Sequence, residues 1–279
     1  MTPMQDVITG RVLSQEEILP GHRLLRISAA PGTFGKAVPG QFVMIRRKGE
    51  TAPFLFRPFS VHSVEAGREG DVVGIFYRVV GGGTEIFGKM RPGGELSLMG
   101  PLGRGFRIPA GRKNVLLVGG GMGMAPLYFL AGSLADFRKE KGASVAGYFG
   151  CGGSDFVPVL ERFVPLCSAL RISTDDGSFG RAGTVIDLLM EDLGGYDPAS
   201  TVLCGCGPRP MLKRLLELGK AFGAACQVSV EERMACGVGA CLGCVIPVKT
   251  VGGERTYRRA CTEGPVFTRE ELEGAAHGG

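Results

Sequence analysis

The chain has 279 residues, 44% of them apolar, with 47 glycines and a formal net charge of +5. That length gives room for two or three domains, and the apolar content excludes a disordered chain. The charge is mild and forms no long basic block, so nucleic-acid binding is not implied; no apolar run reaches the ~18 residues needed to span a bilayer; and three scattered histidines exclude a His-based metal site or triad.

The opening run MTPMQDVITGRV lacks the basic-then-apolar pattern of a secretory signal, so the expected location is cytoplasmic. Residues 1–108 read as β structure. GHRLLRISA, GQFVMIRR, FSVHSV, DVVGIFYRVV and GGELSLMG are short, β-branched or aromatic, and separated by Gly/Pro turns, as in a barrel or sandwich. Within this stretch TEIFGKM is the one helical candidate. Arg57, Pro58, Phe59 and Ser60 are followed by Phe76, Tyr77 and Arg78, and then by Gly82, Gly83 and Thr84. An arginine can grip a pyrophosphate through its planar fork, and glycines beside a threonine bring backbone amides close to phosphate. A serine two residues past the proline can reach a ring nitrogen. A turn-rich barrel with no ligand accounts for the same residues almost as well.

Residues 109–228 change rhythm to alternating strand and helix. The apolar strand VLLVG runs into Gly119–Pro126, and Leu127, Leu130, Leu134 and Phe137 then fall on one helical face. SVAGYFG, LRISTD, TVLCGCG and CQVSV follow as strands, with helices around Val159–Phe163, Thr184–Leu193 and Met211–Phe222 between them. Such alternation implies a parallel sheet covered on both faces. The strand–turn–helix passage puts Gly121, Gly123, Ala125 and Pro126 where a dinucleotide pyrophosphate meets free amides and a helix dipole. Neither the G-x-G-x-x-G fingerprint nor a Walker lysine is present, so a structural tight turn remains open. Two later turns, one with Asp175 and Asp176 and one with Cys206, Gly207 and Pro208, lie at carboxyl ends of strands, where open α/β sheets bind ligands. The aspartates either cap a helix or repel a phosphorylated ribose. With no Arg or Lys in 150–155, NAD is favoured over NADP.

Residues 229–279 hold Cys236, Cys241, Cys244 and Cys261 in the order C-x4-C-x2-C-x16-C. An all-sulfur site selects zinc or iron–sulfur, and this spacing is that of plant-type [2Fe–2S] ligation. Structural zinc prefers two separated C-x2-C-like pairs, so zinc, or thiols that only fill a core, are the lesser alternatives. Gly237, Gly239 and Gly243 would take positive φ and turn N–H groups toward the sulfides. Cys151, Cys167, Cys204, Cys206 and Cys226 read as buried thiols, because nine cysteines in such a chain suit no disulfide framework. Thr268 to Glu271 has a capping-box pattern for a short terminal helix.

Assembled, these residues resemble the ferredoxin–NADP reductase superfamily. RPFS matches its flavin motif R-x-x-S, GMGMAP its nicotinamide loop G-x-G-x-A-P, and CGPRPM its C-G-P-x-x-M motif. Within that superfamily, ERMACGVGACLGCV and ACTEGPVF resemble the electron-transfer subunits of type B dihydroorotate dehydrogenases, and the likeness runs nearly the full length. It implies a six-stranded antiparallel FAD-binding β-barrel, a doubly wound parallel-sheet NAD-binding domain and a small C-terminal [2Fe–2S] domain. It further implies FAD at Arg57–Ser60, Phe76–Arg78, Gly83 and Thr84, and cluster ligation by Cys236, Cys241, Cys244 and Cys261. Ser60 would then lie near the flavin N5 edge and Cys206 near the nicotinamide. The implied partner is an FMN-containing catalytic subunit, in a heterotetramer of two plus two, that oxidises dihydroorotate during pyrimidine (UMP) synthesis. Electrons would run from its FMN through the cluster and FAD to NAD+. The x16 gap is far shorter than in free plant-type ferredoxins, so the cluster domain need not share their fold. Two alternatives stand beside this. One is the small subunit of an NADH-dependent ferredoxin:NADP oxidoreductase or sulfide-dehydrogenase-like complex, where one cluster ligand is typically aspartate. The other is a zinc-bearing binding module.

Overall fold

The computed structural model describes residues 6–50, 54–140, 142–250 and 252–272. Its first half is one antiparallel sheet built from β1 (Ile8–Leu19), β2 (His22–Ala29), β3 (Phe42–Arg47), β4 (Arg57–Ser60), β5 (Ser63–Glu65), β6 (Asp71–Arg78) and β7 (Glu95–Leu102). A short helix, α1 (Gly82–Gly88), sits between β6 and β7, where TEIFGKM predicts one. The strand order is β4-β3-β7-β1-β2-β6-β5, so the two edges of the sheet are consecutive in the chain. Only Val61 and His62 separate them. Val61 N–H donates to the Gln41 carbonyl at 3.0 Å, beside β3, whereas His62 N–H donates to the Gly74 carbonyl of β6 at 2.9 Å. Consecutive amides thus bond to opposite edges, which curls the sheet into a barrel and divides FSVHSV between two strands. Counted as one broken strand, β4 and β5 make the sixth stave. Alternate residues such as Leu25 and Ile27, Val43 and Ile45, and Leu96 and Leu98 point into the barrel core and are fully buried.

The second half is a sheet ordered β11-β10-β9-β8-β12-β13-β16. Its parallel strands are β8 (Asn114–Gly120), β9 (Ser144–Cys151), β10 (Ala169–Thr174), β11 (Arg181–Ala182), β12 (Thr201–Cys206) and β13 (Ala225–Ser229). Helices α2 (Met124–Ser133), α3 (Val157–Leu160), α4 (Val185–Asp192) and α5 (Arg209–Phe222) connect them. The chain winds outward from β8 through β9 and β10, then returns to β12 on the other side. That reversal puts the topological switch between β8 and β12, where Gly119 pairs with Cys206. The helix after the glycine turn is shorter than the leucine spacing predicts. Leu127, Leu130 and Leu134 are buried, but the helix ends at Ser133, whose hydroxyl donates back to the Leu130 carbonyl at 2.8 Å, and Phe137 opens a separate 3₁₀ turn. Around Val159–Phe163 only one α-turn forms, because Pro165 cannot continue it and the rest tightens to 3₁₀. Among the described residues no helix is long and apolar enough to cross a membrane.

After β13 the chain runs without strand or helix through 230–244, forms the hairpin β14 (Val245–Lys249) and β15 (Arg255–Arg259), and turns through α6 (Ala260–Glu263). It then returns as β16 (Val266–Thr268), antiparallel to β13, and ends the described residues with α7 (Arg269–Leu272). One half of the predicted capping box forms, Glu271 accepting the Thr268 N–H at 2.8 Å; the remainder of the tail lies outside the described residues. The barrel and the parallel sheet share one apolar core. Leu19, Phe76 and Phe106 pack in it with Leu117, Ala125, Leu127 and Leu160.

Candidate functional site

One cavity and a group of thiols lie where the barrel, the parallel sheet and the C-terminal segment meet, and a second cavity lies over the parallel sheet. The first cavity, of about 390 Å³, is walled on the barrel side by Arg57, Pro58, Phe59, Ser60, Phe76, Tyr77, Arg78 and Thr84. Ala125 and Cys206 close it from the carboxyl ends of the parallel strands. Arg57 Nη1 donates to the Leu55 carbonyl at 3.0 Å, which fixes the side chain and leaves Nε and Nη2 without a hydrogen bond among the described residues. Gly83 is not on the wall but behind it: a Cβ there would stand 2.8 Å from Arg57 Nε. Thr84 Oγ1 accepts the Val80 and Gly81 N–H groups at 2.8 and 3.2 Å, so its hydroxyl braces the turn into α1. Phe59 meets Tyr77 and Phe87 edge-on in the barrel core. Burial pushes the Tyr77 phenol up to about 12, and Gln15 Nε2 donates to it at 3.2 Å. Two arginines above an aromatic, half-buried slot of this size suit a flat apolar ring that carries an anionic tail.

Cys206 is fully buried at the cavity wall. Burial drives its thiol well above the ordinary range and Glu231 adds to this, while a hydrogen bond with Ser229 opposes it. The group is a neutral thiol at physiological pH, suited to contact and unsuited to nucleophilic attack. Glu231 and Ser229 line the same cavity and do not stand out in the sequence. Burial raises the Glu231 carboxyl. The signal that could have found them is position: Ser229 ends β13 level with Cys206 on the neighbouring strand, and Glu231 follows it by two residues.

The second cavity, of about 400 Å³, sits over the carboxyl ends of β8 and β9. Gly121, Asp175 and Pro208 line it, together with Gly150, Cys151, Gly152, Thr184 and Arg214. Four of the residues predicted for the dinucleotide are on neither wall. A Cβ on Gly123 would run into the Cys206 carbonyl, so this glycine lets the turn pack onto β12. Pro126 is buried in the first turn of α2. A Cβ on Gly207 would run into Met211 and the Gly120 N–H, so this glycine lets the two turns pack together. Asp176 spends its carboxylate on its own turn, accepting Ser178 Oγ–H at 2.6 Å and Ser178 N–H at 2.9 Å, which hold it below the usual carboxylate range. The aspartate pair therefore divides, with Asp175 facing the cavity and Asp176 shaping the loop.

The four C-terminal thiols come as two pairs, Cys236 beside Cys241 and Cys244 beside Cys261. Burial opposes ionisation of Cys236, but N–H groups of Cys241, Val238 and Ala240 directed at its sulfur lower it overall; burial and Cys244 raise Cys261. Gly243 N–H points at Cys241 Sγ, 3.5 Å away. Among the described residues no three His, Cys, Asp or Glu side chains close on a single ion. Two thiol pairs with amides turned toward sulfur fit a two-iron cluster, which takes two cysteines on each iron. The expectation for the loop glycines needs one correction. Gly237 and Gly239 have φ of 72° and 81°, but the third left-handed residue is Leu242, at 57°, and not Gly243. Cys244 and Cys261 are buried with Phe42, Met44, Met99 and Leu102, whereas Cys241 is exposed. Phe42 also lines the first cavity, so thiols and cavity share a wall. Of the remaining cysteines, Cys151, Cys204, Cys206 and Cys226 are buried as expected and Cys167 is half-buried.

A family profile described as the iron-sulfur cluster binding domain of dihydroorotate dehydrogenase B matches residues 231–273. A "Dihydroorotate dehydrogenase B (NAD(+)), electron transfer subunit" from Desulforamulus reducens is 38% identical over 264 residues, 95% of this chain and 97% of that one. One of the same description from Caldanaerobacter subterraneus subsp. tengcongensis is 42% identical over 237 residues, 85% and 87% of the two chains. Among solved structures, an NADH-dependent reduced ferredoxin-NADP oxidoreductase, described in connection with flavin-based electron bifurcation, superposes with a TM-score of 0.78 at 28% identity, over 95% of this chain and 89% of that one. A ferredoxin NADP+ reductase from Neisseria gonorrhoeae with bound FAD and NADP gives 0.63 at 20% identity, over 78% and 92%, and shows the shared fold.

Proposed function

This chain belongs to the family of dihydroorotate dehydrogenase B (NAD(+)) electron transfer subunits, and we propose that it carries electrons from a catalytic partner subunit to NAD+ in the cytoplasm. When bound, its groups supply complementary chemistry: the [2Fe–2S] cluster moves single electrons, NAD moves hydride, and FAD converts between the two. Arg57 and Arg78 would hold the FAD pyrophosphate, with Pro58, Phe59, Ser60, Phe76, Tyr77 and Thr84 shaping its slot. Gly121, Asp175 and Pro208 would hold the dinucleotide, with Gly123, Pro126, Asp176 and Gly207 setting the turns. Cys236, Cys241, Cys244 and Cys261 would hold the cluster. Ser60 and Cys206 both line the first cavity and would orient the reacting rings; neither is assigned a proton.

The observation that carries this reading is the shared wall. The first cavity touches the thiol group through Phe42 and the glycine turn through Ala125. A middle station between a one-electron and a two-electron group needs that position. The partner proposed is an FMN-containing dihydroorotate dehydrogenase subunit, in a two-plus-two assembly active in pyrimidine synthesis. It would dock over Cys241, the exposed ligand. The four-cysteine ligand set and the higher identity to the dihydroorotate dehydrogenase relatives favour this over the bifurcating oxidoreductase. The test is co-purification with that subunit and an assay of dihydroorotate-dependent NAD+ reduction. Cys244→Ser in the complex should abolish that activity while NADH-to-dye reduction persists in protein that retains FAD. Loss of both with FAD retained overturns the order of stations, and a colourless zinc-containing protein overturns the redox reading altogether.

A further inference from the structure

We propose that His62 is a positioning residue that latches the glycine turn of the nucleotide sheet to the RPFS strand, fixing the spacing between Ser60 and Ala125 across the first cavity. His62 follows Ser60 by two residues and is 4% exposed. Its backbone is anchored in the barrel by the bond to the Gly74 carbonyl. Its side chain leaves the barrel: Nδ1 lies 3.0 Å from the carbonyl oxygen of Ala125, in the first turn of α2. A carbonyl oxygen only accepts, so Nδ1 carries the proton and Nε2 carries the lone pair. The imidazole lies flat on Tyr128, at 4.4 Å and 13°, and Tyr128 in turn stands edge-on to Phe163 at 5.3 Å and 90°. Phe76, a wall residue of the cavity, has its ring 5.8 Å from the imidazole.

A histidine that only fills a core needs no directed bond, and phenylalanine would replace it. Here the donated proton ends on a residue that lines the cavity opposite Ser60's strand, and the stacking partner sits on the same helix turn as that acceptor. Burial lowers the imidazole to about 4, the nearby Arg162 pressing the same way against the Ala125 bond, so the neutral donor tautomer persists at physiological pH. Misplacing reacting groups by a fraction of an ångström is costly in rate, which is the effect such a latch prevents.

The proposal rests on the glycine turn being the nicotinamide loop, and the experiment separates the two. His62→Phe keeps the stacked ring and removes the donor; His62→Asn restores a donor near the Nδ1 position. In the full-length holoprotein, His62→Phe should retain FAD and cluster absorbance and lower kcat for NADH-to-ferricyanide reduction about 10-fold with little change in KM. Amide hydrogen exchange across Met124–Tyr128 should quicken, and His62→Asn should recover part of both. Unchanged kinetics and exchange in His62→Phe, or no recovery in His62→Asn, overturns the latch. Should the variants not fold, ¹⁵N spectra of the wild-type imidazole decide: a protonated Nδ1 with bare Nε2 is expected, and the reverse tautomer overturns it. Failure of the wild-type protein to bind NADH would instead overturn the loop assignment.

Discussion

Asp175 and Arg214 line the same cavity with opposite charges, but only one of them is at liberty. Arg214 Nη2 donates to Asp187 at 2.7 Å and its Nη1 to Thr184 at 3.2 Å, an arrangement that holds the guanidinium against α4. Asp175 is exposed, and its side chain makes no hydrogen bond among those found in the described residues. A phosphate on the ribose near it would meet a like charge, and the one cation lining this cavity among the described residues is already paired. Asp175→Asn should therefore raise NADPH use relative to NADH by about 10-fold, equivalent to ~1.4 kcal/mol of repulsion removed. The ratio of kcat/KM for the two nucleotides is the measurement; no change would place the ribose elsewhere. The sequence shows the Asp-Asp pair but not its division of labour, because adjacent residues in a turn differ only in the direction each side chain leaves the backbone. Glu231 was invisible for a related reason. Nothing in EERMACG marks it until the end of β13 places it two residues past Ser229, the register partner of Cys206, on the cavity wall.

At the scale of elements, the strands and most helices were legible because each half of the chain keeps one hydrophobic rhythm. The ends were not. FSVHSV is a single β-favouring run, and only the closing of the barrel explains why Val61 and His62 bond to different edges. The leucine face that predicts a longer α2 is buried as expected, but its last member lies beyond the helix end. The return strand β16 was also hidden: VFT is too short to signal a strand and owes its place to Arg104. That guanidinium donates to the Val266 carbonyl at 3.0 Å, pairs with Glu271 at 2.5 Å and lies over the Phe267 ring at 5.4 Å. Glu271 is partly buried, which raises its carboxyl, but bonds from Arg104 and Thr268 and the charge of Arg258 outweigh this and hold it below the usual range. The depressed folded value means that the unfolded chain binds the proton more readily. The staple's contribution is thus complete above the unfolded carboxylate value of about 4.3 and is lost as pH falls through the lower folded one. Glu271→Ala should cost about 2 kcal/mol in urea unfolding at pH 7 and much less at pH 3. A cost that does not change with pH would show that the charge is not what holds β16.

Among the described residues, the molecule places its one exposed thiol beside exposed apolar side chains. Cys241 is exposed between Val238, Leu242 and Val245, which are 44%, 60% and 40% exposed. Phe54 and Leu55 are exposed too, next to Phe56, which packs against the group containing Cys244 and Cys261. Apolar side chains gathered about one ligand of a redox group are what a protein interface needs at its centre, where charge is depleted. Leu242 sharpens the argument, because a leucine at φ 57° carries a backbone cost that glycine would not. A residue kept there against its backbone preference must contribute something outside this chain's own core. Leu242→Gly should then have opposite effects on two measurements. The isolated subunit should gain about 1 kcal/mol in unfolding free energy, since the left-handed strain is relieved and little buried area is lost. Association with the catalytic subunit should weaken by about 10-fold, the loss of ~1.4 kcal/mol of apolar contact, with NADH-to-dye reduction unchanged. Titration calorimetry and urea unfolding on the same preparation read both. A variant that gains stability and binds its partner as tightly as the wild type would move the docking face away from the thiol loop.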